Sequence, residues 1–290
     1  MKFDVVIPCW NSGELLCRSL QSVLNQSHQD FEVFVVDGSD DEGDKVYFEQ
    51  TVNGDERFHY IVQDKEAHPY AGGARNQGVA LGTASVIAFL DSDDEWYEDH
   101  LEQHDMHWEF DEELSMVWSG VEADLQLESM LTGGNVVMRQ RACQYMSELP
   151  EVPKEHRWLY GAYVFGLCMQ PTNYSVSRHA FEDVGGFPSY RYQEDKLLQA
   201  NLIYAYPHIA CIEEVTCYAD WHREGKITLL NQDPGMYQDM FVHDTYLSGE
   251  LLKEYAKEYF STIEDMQDIC IDEMPFEKIM DLCKSHLGVA

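Results

Sequence analysis

Basic residues are scarce in this sequence, and their scarcity excludes whole classes of partner. The 290 residues include 19 lysines and arginines against 53 aspartates and glutamates, so the formal net charge is −34. A protein that binds the phosphate backbone of nucleic acid needs a basic face, and anionic membranes attract basic segments. We therefore expect no nucleic-acid partner, and any anionic ligand requires a local arginine or a bound metal ion.

The sequence also lacks a membrane span, an export signal and closely paired cysteines. No stretch approaches the 18 apolar residues typical of a transmembrane helix, and the opening MKFD does not resemble a secretory signal. None of the eight cysteines forms a C-x-x-C pair, which disfavours a zinc ribbon or a thioredoxin motif. These absences predict a cytoplasmic protein whose cysteines are reduced.

Apolar residues are plentiful, and their pattern predicts an α/β fold. Hydrophobic residues make up 44% of the chain, which is enough for a globular core. Four apolar runs, at 3–7, 31–36, 58–62 and 86–90, have the character of buried strands. Helical patterns lie between them, one of them at 74–81 and one that Asn11 and Ser12 are expected to cap. This alternation predicts a mostly parallel sheet that binds its ligands at the carboxyl ends of the strands.

The second half of the sequence is harder to interpret. A helix over 98–110, a strand over 116–121 and a short strand over 174–177 are expected. A helix over 194–204 and a strand over 211–218 follow. Beyond residue 231 the chain is acidic and amphipathic, which predicts a helical extension.

Four carboxylates crowd the end of the fourth predicted strand, at Asp91, Asp93, Asp94 and Glu95. Like charges this close repel one another unless a cation binds. Alternation after a strand directs Asp91 and Asp93 to the same side, where their oxygens suit Mg²⁺ or Mn²⁺ shared with substrate phosphates. A calcium loop is disfavoured because Trp96 occupies the position that requires glycine. A solvated acidic turn is the other alternative.

A glycine-rich segment at 72–78 supplies the arginine that this acidic protein needs near its site. It is neither a Walker loop nor a dinucleotide fingerprint. Arg75 within it is a candidate ligand for an anion, and a surface ion pair is the alternative.

Five segments, in this order, resemble the family 2 glycosyltransferases, which have the GT-A fold. They are 5–11 (VVIPCWN), 20–27 (LQSVLNQS), 31–39 (FEVFVVDGS), 73–78 (GARNQG) and 87–94 (IAFLDSDD). The resemblance continues more thinly at 185–187 (GGF), 193–197 (QEDKL) and 221–223 (WHR). Two departures are visible: the sequence has DGS where the family has DDGS, and the usual arginine of the late R-x-H is absent.

The resemblance implies a role for each matching position. The donor nucleotide, most often a uridine diphosphate, would be bound by residues from four segments: Pro8, Asn11, Asp37, Arg75 and Asp91. Asp91 and Asp93 would form the D-x-D element that holds Mn²⁺ or Mg²⁺, with His222 as a further ligand. Asp195 would be the general base for the acceptor hydroxyl, and Glu194 would support it.

The sequence therefore predicts a metal-dependent, inverting glycosyltransferase that moves a sugar from a UDP-sugar to a hydroxyl acceptor in glycan or polysaccharide synthesis. Two alternatives stay open: a sugar-nucleotide or glycan-binding protein without turnover, and a sugar nucleotidyltransferase. We expect a nucleotide-binding half at 1–120, an acceptor-binding half of the same domain at 121–230 and the helical extension at 231–290. Peripheral contact with a membrane and the oligomeric state are left open.

Overall fold

The apolar runs of the sequence become the central strands of one sheet. We describe the fold from a computed structural model of the chain, over residues 1–123, 170–189, 191 and 194–220. The strands are β1 (Phe3–Cys9), β2 (Phe31–Asp37), β3 (Phe58–Val62), β4 (Val86–Phe89), β5 (Glu95–Trp96), β6 (Met116–Ala123), β7 (Tyr174–Ser177) and β8 (Ile209–Ala219).

The helices lie between these strands in the chain. They are α1 (Glu14–Leu24), α2 (Gly43–Val52), α3 (Tyr70–Leu81), α4 (His100–Phe110), α5 (Arg178–Asp183) and α6 (Glu194–Ala205), and a 3₁₀ turn at Pro171–Asn173 precedes β7.

The sheet has the strand order β3-β2-β1-β4-β7-β6-β8-β5. The strands β3, β2, β1 and β4 are parallel, β7 is antiparallel to both of its neighbours, β8 runs parallel to β6, and β5 is antiparallel to β8. Six of the eight described strands thus share one direction, which confirms the prediction of a mostly parallel α/β sheet.

Helices cover both faces of the sheet and close two apolar cores. One core packs the buried side chains on one face of β1 and β2 against α1, α2 and α4. The other packs β4 and β7 against α3, α5 and α6. This three-layer arrangement buries the central strands on both sides, which explains their near-continuous apolar sequence.

The strand β1 is the point at which the strand order reverses, because β2 and β4 lie on either side of it. The connections that leave the carboxyl ends of β1 and β4 go to opposite directions along the sheet, which opens a crevice there. The segments after β1 and β4, and the end of β2, therefore lie at the same edge of the sheet.

The start of α1 differs from the sequence prediction. Neither Asn11 nor Ser12 caps this helix, which begins after Gly13 without a side-chain cap. Asn11 instead has a left-handed φ of 50°. The amide groups of Ser12 and Gly13 donate to the carboxylate of Asp44, from 2.9 and 2.7 Å. The carboxylate of Asp44, from α2, thus accepts hydrogen bonds from the two backbone amides that lead into α1.

The described cysteines differ in their oxidation state. The expectation that every cysteine is reduced is wrong for Cys211, which is disulfide-bonded, whereas Cys9, Cys17 and Cys217 are free thiols. Within the described ranges, no helix has the length and apolar character needed to cross a membrane. The predicted helical extension at 231–290 lies outside the described residues.

Candidate active site

The carboxyl edge of the sheet gathers most of the predicted site residues around Arg75. This side chain comes from α3, is only 4% exposed, and bridges two carboxylates. Its Nη2 donates to Oδ1 of Asp91 at 2.6 Å, and its Nη1 donates to Oε1 of Glu194 at 3.0 Å. Asp91 and Glu194 are 103 positions apart in the chain, so Arg75 joins the segment after β4 to the start of α6.

In this bridge the positive guanidinium of Arg75 lies between the negative carboxylates of Asp91 and Glu194. Burial lowers the pKa of Arg75, but the attraction of Asp91 and Glu194 outweighs it and the pKa is raised. The guanidinium also lies over the ring of Phe187, at 5.2 Å from its centroid, in the range of a cation–π contact. Arg75 is therefore a fixed, buried cation, and the surface ion pair considered from sequence does not describe it.

Glu194 and Asp195 begin α6 and differ in environment. Burial raises the pKa of Glu194, Arg75 opposes this, and the neighbouring charge of Asp195 raises it further. Asp195 is half-buried, and its charge also acts on the buried hydroxyl of Tyr174 together with Arg75 and Asp91. Asp195 thus lies within electrostatic reach of Glu194 and Tyr174.

Three of the four crowded carboxylates, Asp91, Asp94 and Glu95, have different described partners. Asp91 accepts from Arg75, and the chain turns so that the amide of Asp94 donates to the carbonyl of Asp91 at 3.0 Å. Asp94 is buried, whereas Asp93 is half-buried. Glu95 accepts from Nε of Arg18 at 2.8 Å. The expectation that Asp91 and Asp93 point to the same side stays a prediction.

Asp37 lies at the end of β2, opposite Cys9 in the register of the sheet. Its Oδ1 accepts from the amide of Ser39 at 2.8 Å, and its Oδ2 accepts from the hydroxyl of Tyr60. Among the described residues, no hydrogen bond joins Asp37 to Arg75. Asp37 and Arg75, which the resemblance assigns to the donor nucleotide, thus stand in separate networks at the same edge.

Asp37 also belongs to a cluster with Cys9 and Asp44, whose ligand atoms lie within 4.8 Å of one another. Within the described ranges this is the group of three that could hold a metal ion. Its carboxylate oxygens, however, already accept hydrogen bonds. The carboxylate of Asp44 accepts from Ser12, Gly13 and Ser39. Burial, and then the nearby charges of Asp37 and Asp44, raise the pKa of the Cys9 thiol. A protonated thiol is a poor metal ligand.

Two other residues predicted to contact the donor lie at the end of β1 and in the loop that follows it. Pro8 is within β1 and half-buried, and Asn11 is exposed. The amide of Asn11 donates to the hydroxyl of Ser39 at 2.8 Å, which ties this loop to the turn after Asp37. Trp10 is exposed beside it.

His222, the further metal ligand predicted from sequence, lies outside the described residues. Asp220 is described, and its amide donates to Oδ1 of Asp94 at 3.0 Å. The chain therefore reaches the acidic turn two positions before His222.

Sequence reasoning missed several residues that shape this site. They are Asp44, Tyr60, Asp94 as a buried acceptor, Thr172 and Phe187. Asp44 carried no signal, because a single aspartate in an acidic chain is unremarkable. Thr172 follows Gln170 and Pro171 in a segment that the sequence left unassigned.

Comparisons with known proteins indicate the family of the matched residues. Residues 4–143 match the model of the family described as glycosyl transferase family 2. The amylovoran biosynthesis glycosyltransferase AmsB of Erwinia amylovora is 34% identical over 107 residues, which are 36% of this chain and 35% of that protein. The chain thus matches about a third of the length of this curated relative.

Solved structures share the fold at low sequence identity. The crystal structure of S. aureus TarS 1-349 in complex with UDP-GlcNAc has a TM-score of 0.62 at 15% identity, over 100% of this chain and 72% of that chain. The mannosyltransferase PcManGT from Pyrobaculum calidifontis, in complex with GDP-Man and Mn²⁺, has a TM-score of 0.57 at 13% identity, over 99% of this chain and 70% of that chain.

Residues 4–143 therefore belong to a family 2 glycosyltransferase domain, and the fold is of the GT-A type found in these glycosyltransferases. The family and the fold class predicted from the sequence are both confirmed.

Proposed function

We propose that the protein transfers a sugar from a UDP-sugar to a hydroxyl acceptor, with inversion at the anomeric carbon and with Mn²⁺ or Mg²⁺. The observation that carries this proposal is the Arg75 bridge between Asp91 and Glu194. It brings the predicted donor element and the predicted base element together at the edge of a family 2 glycosyltransferase domain.

On the donor side, Asp91 and Asp93 would hold the metal ion, with His222 as a further ligand. The donor set fits a hard divalent cation, because carboxylate oxygens are the ligands that Mg²⁺ and Mn²⁺ prefer. The side chain of Asp91 is 31% exposed and therefore accessible to a ligand, although one of its oxygens accepts from Arg75. When bound, the metal ion would supply Lewis-acid stabilisation of the charge that grows on the leaving diphosphate.

On the acceptor side, Asp195 would take the proton of the attacking hydroxyl. A single displacement needs one such carboxylate, in contrast to glycoside hydrolysis, which uses a pair. Asp195 suits this role because it is half-buried at the start of α6. Glu194, held by Arg75 at 3.0 Å, would fix the position of that helix start relative to Asp91.

The nucleotide would lie across the ends of β1 and β2. Pro8, Asn11 and Asp37 line this region, and the hydrogen bond from Asn11 to Ser39 holds its two loops together. We assign uridine because TarS was solved with UDP-GlcNAc. The GDP-Man complex of PcManGT makes guanosine the nucleotide that an experiment must exclude.

The wider assignments are proposals as well. The name of AmsB favours polysaccharide biosynthesis, and we keep 1–120 and 121–230 as the donor and acceptor halves of one domain, followed by 231–290. The cytoplasmic location stays a prediction. The disulfide of Cys211 counts against it, because disulfides are rare in cytosolic proteins.

Calorimetry and a transfer assay on the full chain test the proposal. We expect UDP to bind with Mn²⁺ at least about tenfold more tightly than GDP, a difference of about 1.4 kcal/mol. Asp195→Asn should keep this binding and lose sugar transfer by roughly 100-fold or more, the lower end of what a general base contributes. The control is Asp30→Asn, an exposed aspartate immediately before β2, at the opposite edge of the sheet.

Each outcome has a clear meaning. NMR of the product should show an inverted anomeric configuration. Binding of UDP without transfer to any acceptor would favour the binding protein instead, and a fully active Asp195→Asn variant would remove the assigned base.

A further inference from the structure

Asp94 is a buried carboxylate that the proposed chemistry does not use. It is 2% exposed, and both of its oxygens accept hydrogen bonds. The hydroxyl of Thr172 donates to Oδ2 at 2.6 Å, and the amide of Asp220 donates to Oδ1 at 3.0 Å. Burial of a carboxylate costs free energy unless hydrogen bonds compensate it, and these two donors contribute to that compensation.

Thr172 extends this contact to the proposed metal ligands. Its hydroxyl oxygen also accepts from the amide of Asp91 at 3.2 Å, while the amide of Asp94 donates to the carbonyl of Asp91. Asp91 and Asp94 are thus joined in two ways, by a backbone hydrogen bond and through the hydroxyl of Thr172. Thr172 is fully buried, and its carbonyl accepts from the indole of Trp96 at 2.8 Å, so it is itself held in place.

The same carboxylate fixes the chain that leaves β8. Asp220 follows the last residue of that strand and precedes the proposed ligand His222 by two positions. The hydrogen bond from the amide of Asp220 to Asp94 ties the end of β8 to the acidic turn. Three segments that are distant in the sequence, at 91–94, at Thr172 and at Asp220, therefore meet on one side chain.

We infer that Asp94 and Thr172 are positioning residues that hold the acidic turn at 91–94 in the arrangement needed to bind a divalent cation together with a nucleoside diphosphate. The inference rests on the proposed function for its ligand, and on the hydrogen bonds alone for its geometry. Neither residue is assigned contact with the substrate or the metal ion.

The chain offers a matched pair of variants for the test. Thr172→Val removes the hydroxyl between Asp91 and Asp94. Thr216→Val removes an equally buried hydroxyl in β8, which bonds to Ser119 at 2.6 Å and to His100 at 2.7 Å. Both changes delete one buried hydroxyl, so a loss of general stability should affect both alike. Thr172→Ser keeps the hydroxyl and serves as the conservative rescue.

The first readout is the Mn²⁺ dependence of UDP binding to the full chain. We expect Thr172→Val to raise the Mn²⁺ concentration for half-maximal binding by about 10- to 100-fold, the loss typical of outer-shell partners. Thr172→Ser and Thr216→Val should stay within about threefold of the unmodified protein. Asp94→Asn should shift the same way as Thr172→Val, and it replaces that variant should Thr172→Val fail to fold.

The second readout does not depend on any ligand. Hydrogen exchange of the peptide that contains Asp91 and Asp94 should be faster by about tenfold in Thr172→Val and unchanged in Thr216→Val, because a lost hydrogen bond lowers local protection. Equal Mn²⁺ dependence in the two valine variants, or unchanged exchange of the turn, overturns the inference. Absence of UDP binding in the unmodified protein defeats the proposed function, while the exchange data still decide the geometry.

Discussion

Two acidic groups lie at the same edge of the sheet, and they differ in how their oxygens are used. The closed cluster consists of Cys9, Asp37 and Asp44, all buried. The acidic loop consists of residues 91–95, in which Asp91 and Asp93 are half-buried. The closed cluster has the tighter geometry, while the acidic loop carries the sequence motif.

The difference teaches that crowded carboxylates do not by themselves define a metal site. In the closed cluster, Asp44 alone accepts two backbone amides and a hydroxyl, so a cation would have to displace these donors. In the acidic loop the buried member, Asp94, has both of its oxygens engaged, whereas Asp91 and Asp93 are more exposed. Saturation with hydrogen-bond donors, more than proximity, separates a structural carboxylate from a candidate ligand.

The largest expected effect comes from the acidic loop. Asp93→Asn should weaken the Mn²⁺-dependent binding of UDP by more than about 100-fold, beyond the loss typical of outer-shell partners, and transfer should fall with it. Its thermal stability should change little, because relief of like-charge repulsion offsets lost contacts. Calorimetry and a thermal melt measure both quantities. Unchanged Mn²⁺ dependence would move the metal site away from this loop.

The closed cluster should show the opposite behaviour. Asp44→Asn places an amide group against backbone donors at the start of α1, and each lost hydrogen bond to a charged group costs about 1.5–3 kcal/mol. We expect the free energy of unfolding to fall by roughly 2–4 kcal/mol while the Mn²⁺ dependence of UDP binding stays within about threefold. Urea denaturation measures the first quantity. A large loss of Mn²⁺ affinity with normal stability would identify the closed cluster as the metal site.

The same contrast explains what could be predicted from the sequence. The strands β3 and β7 have the predicted bounds, because short segments that are mostly apolar or that alternate carry a local strand signal. The helix α3 begins at Tyr70, four residues before the predicted start at Ala74. Gly72 and Gly73, which precede the predicted helix, lie inside α3. An added Cβ on Gly72 would come within 2.8 Å of Glu194, and one on Gly73 within 2.4 Å of His68.

Elements and contacts decided by distant residues were not predictable in this way. The helix α2 was missed because its buried positions, Asp44, Phe48 and Val52, include an aspartate whose partners lie in another loop. The bridge from Arg75 to Glu194 spans 119 positions, and the pattern of a single sequence contains no signal for it. Resemblance placed both residues in the site, whereas their direct contact emerged only from the fold.

A test that leaves the sequence unchanged, and so perturbs the protein least, asks whether the closed cluster is closed at all. Burial, followed by the charges of Asp37 and Asp44, raises the pKa of the Cys9 thiol, and the thiolate is the form that alkylating reagents attack. At pH 8, iodoacetamide should therefore modify Cys9 at least about 100-fold more slowly than the half-buried Cys17. Peptide mass spectrometry measures both rates, and the urea-unfolded chain is the control in which they should converge. Equal rates in the folded protein would mean that the cluster opens to solvent, and the distinction drawn from its hydrogen bonds would then fail.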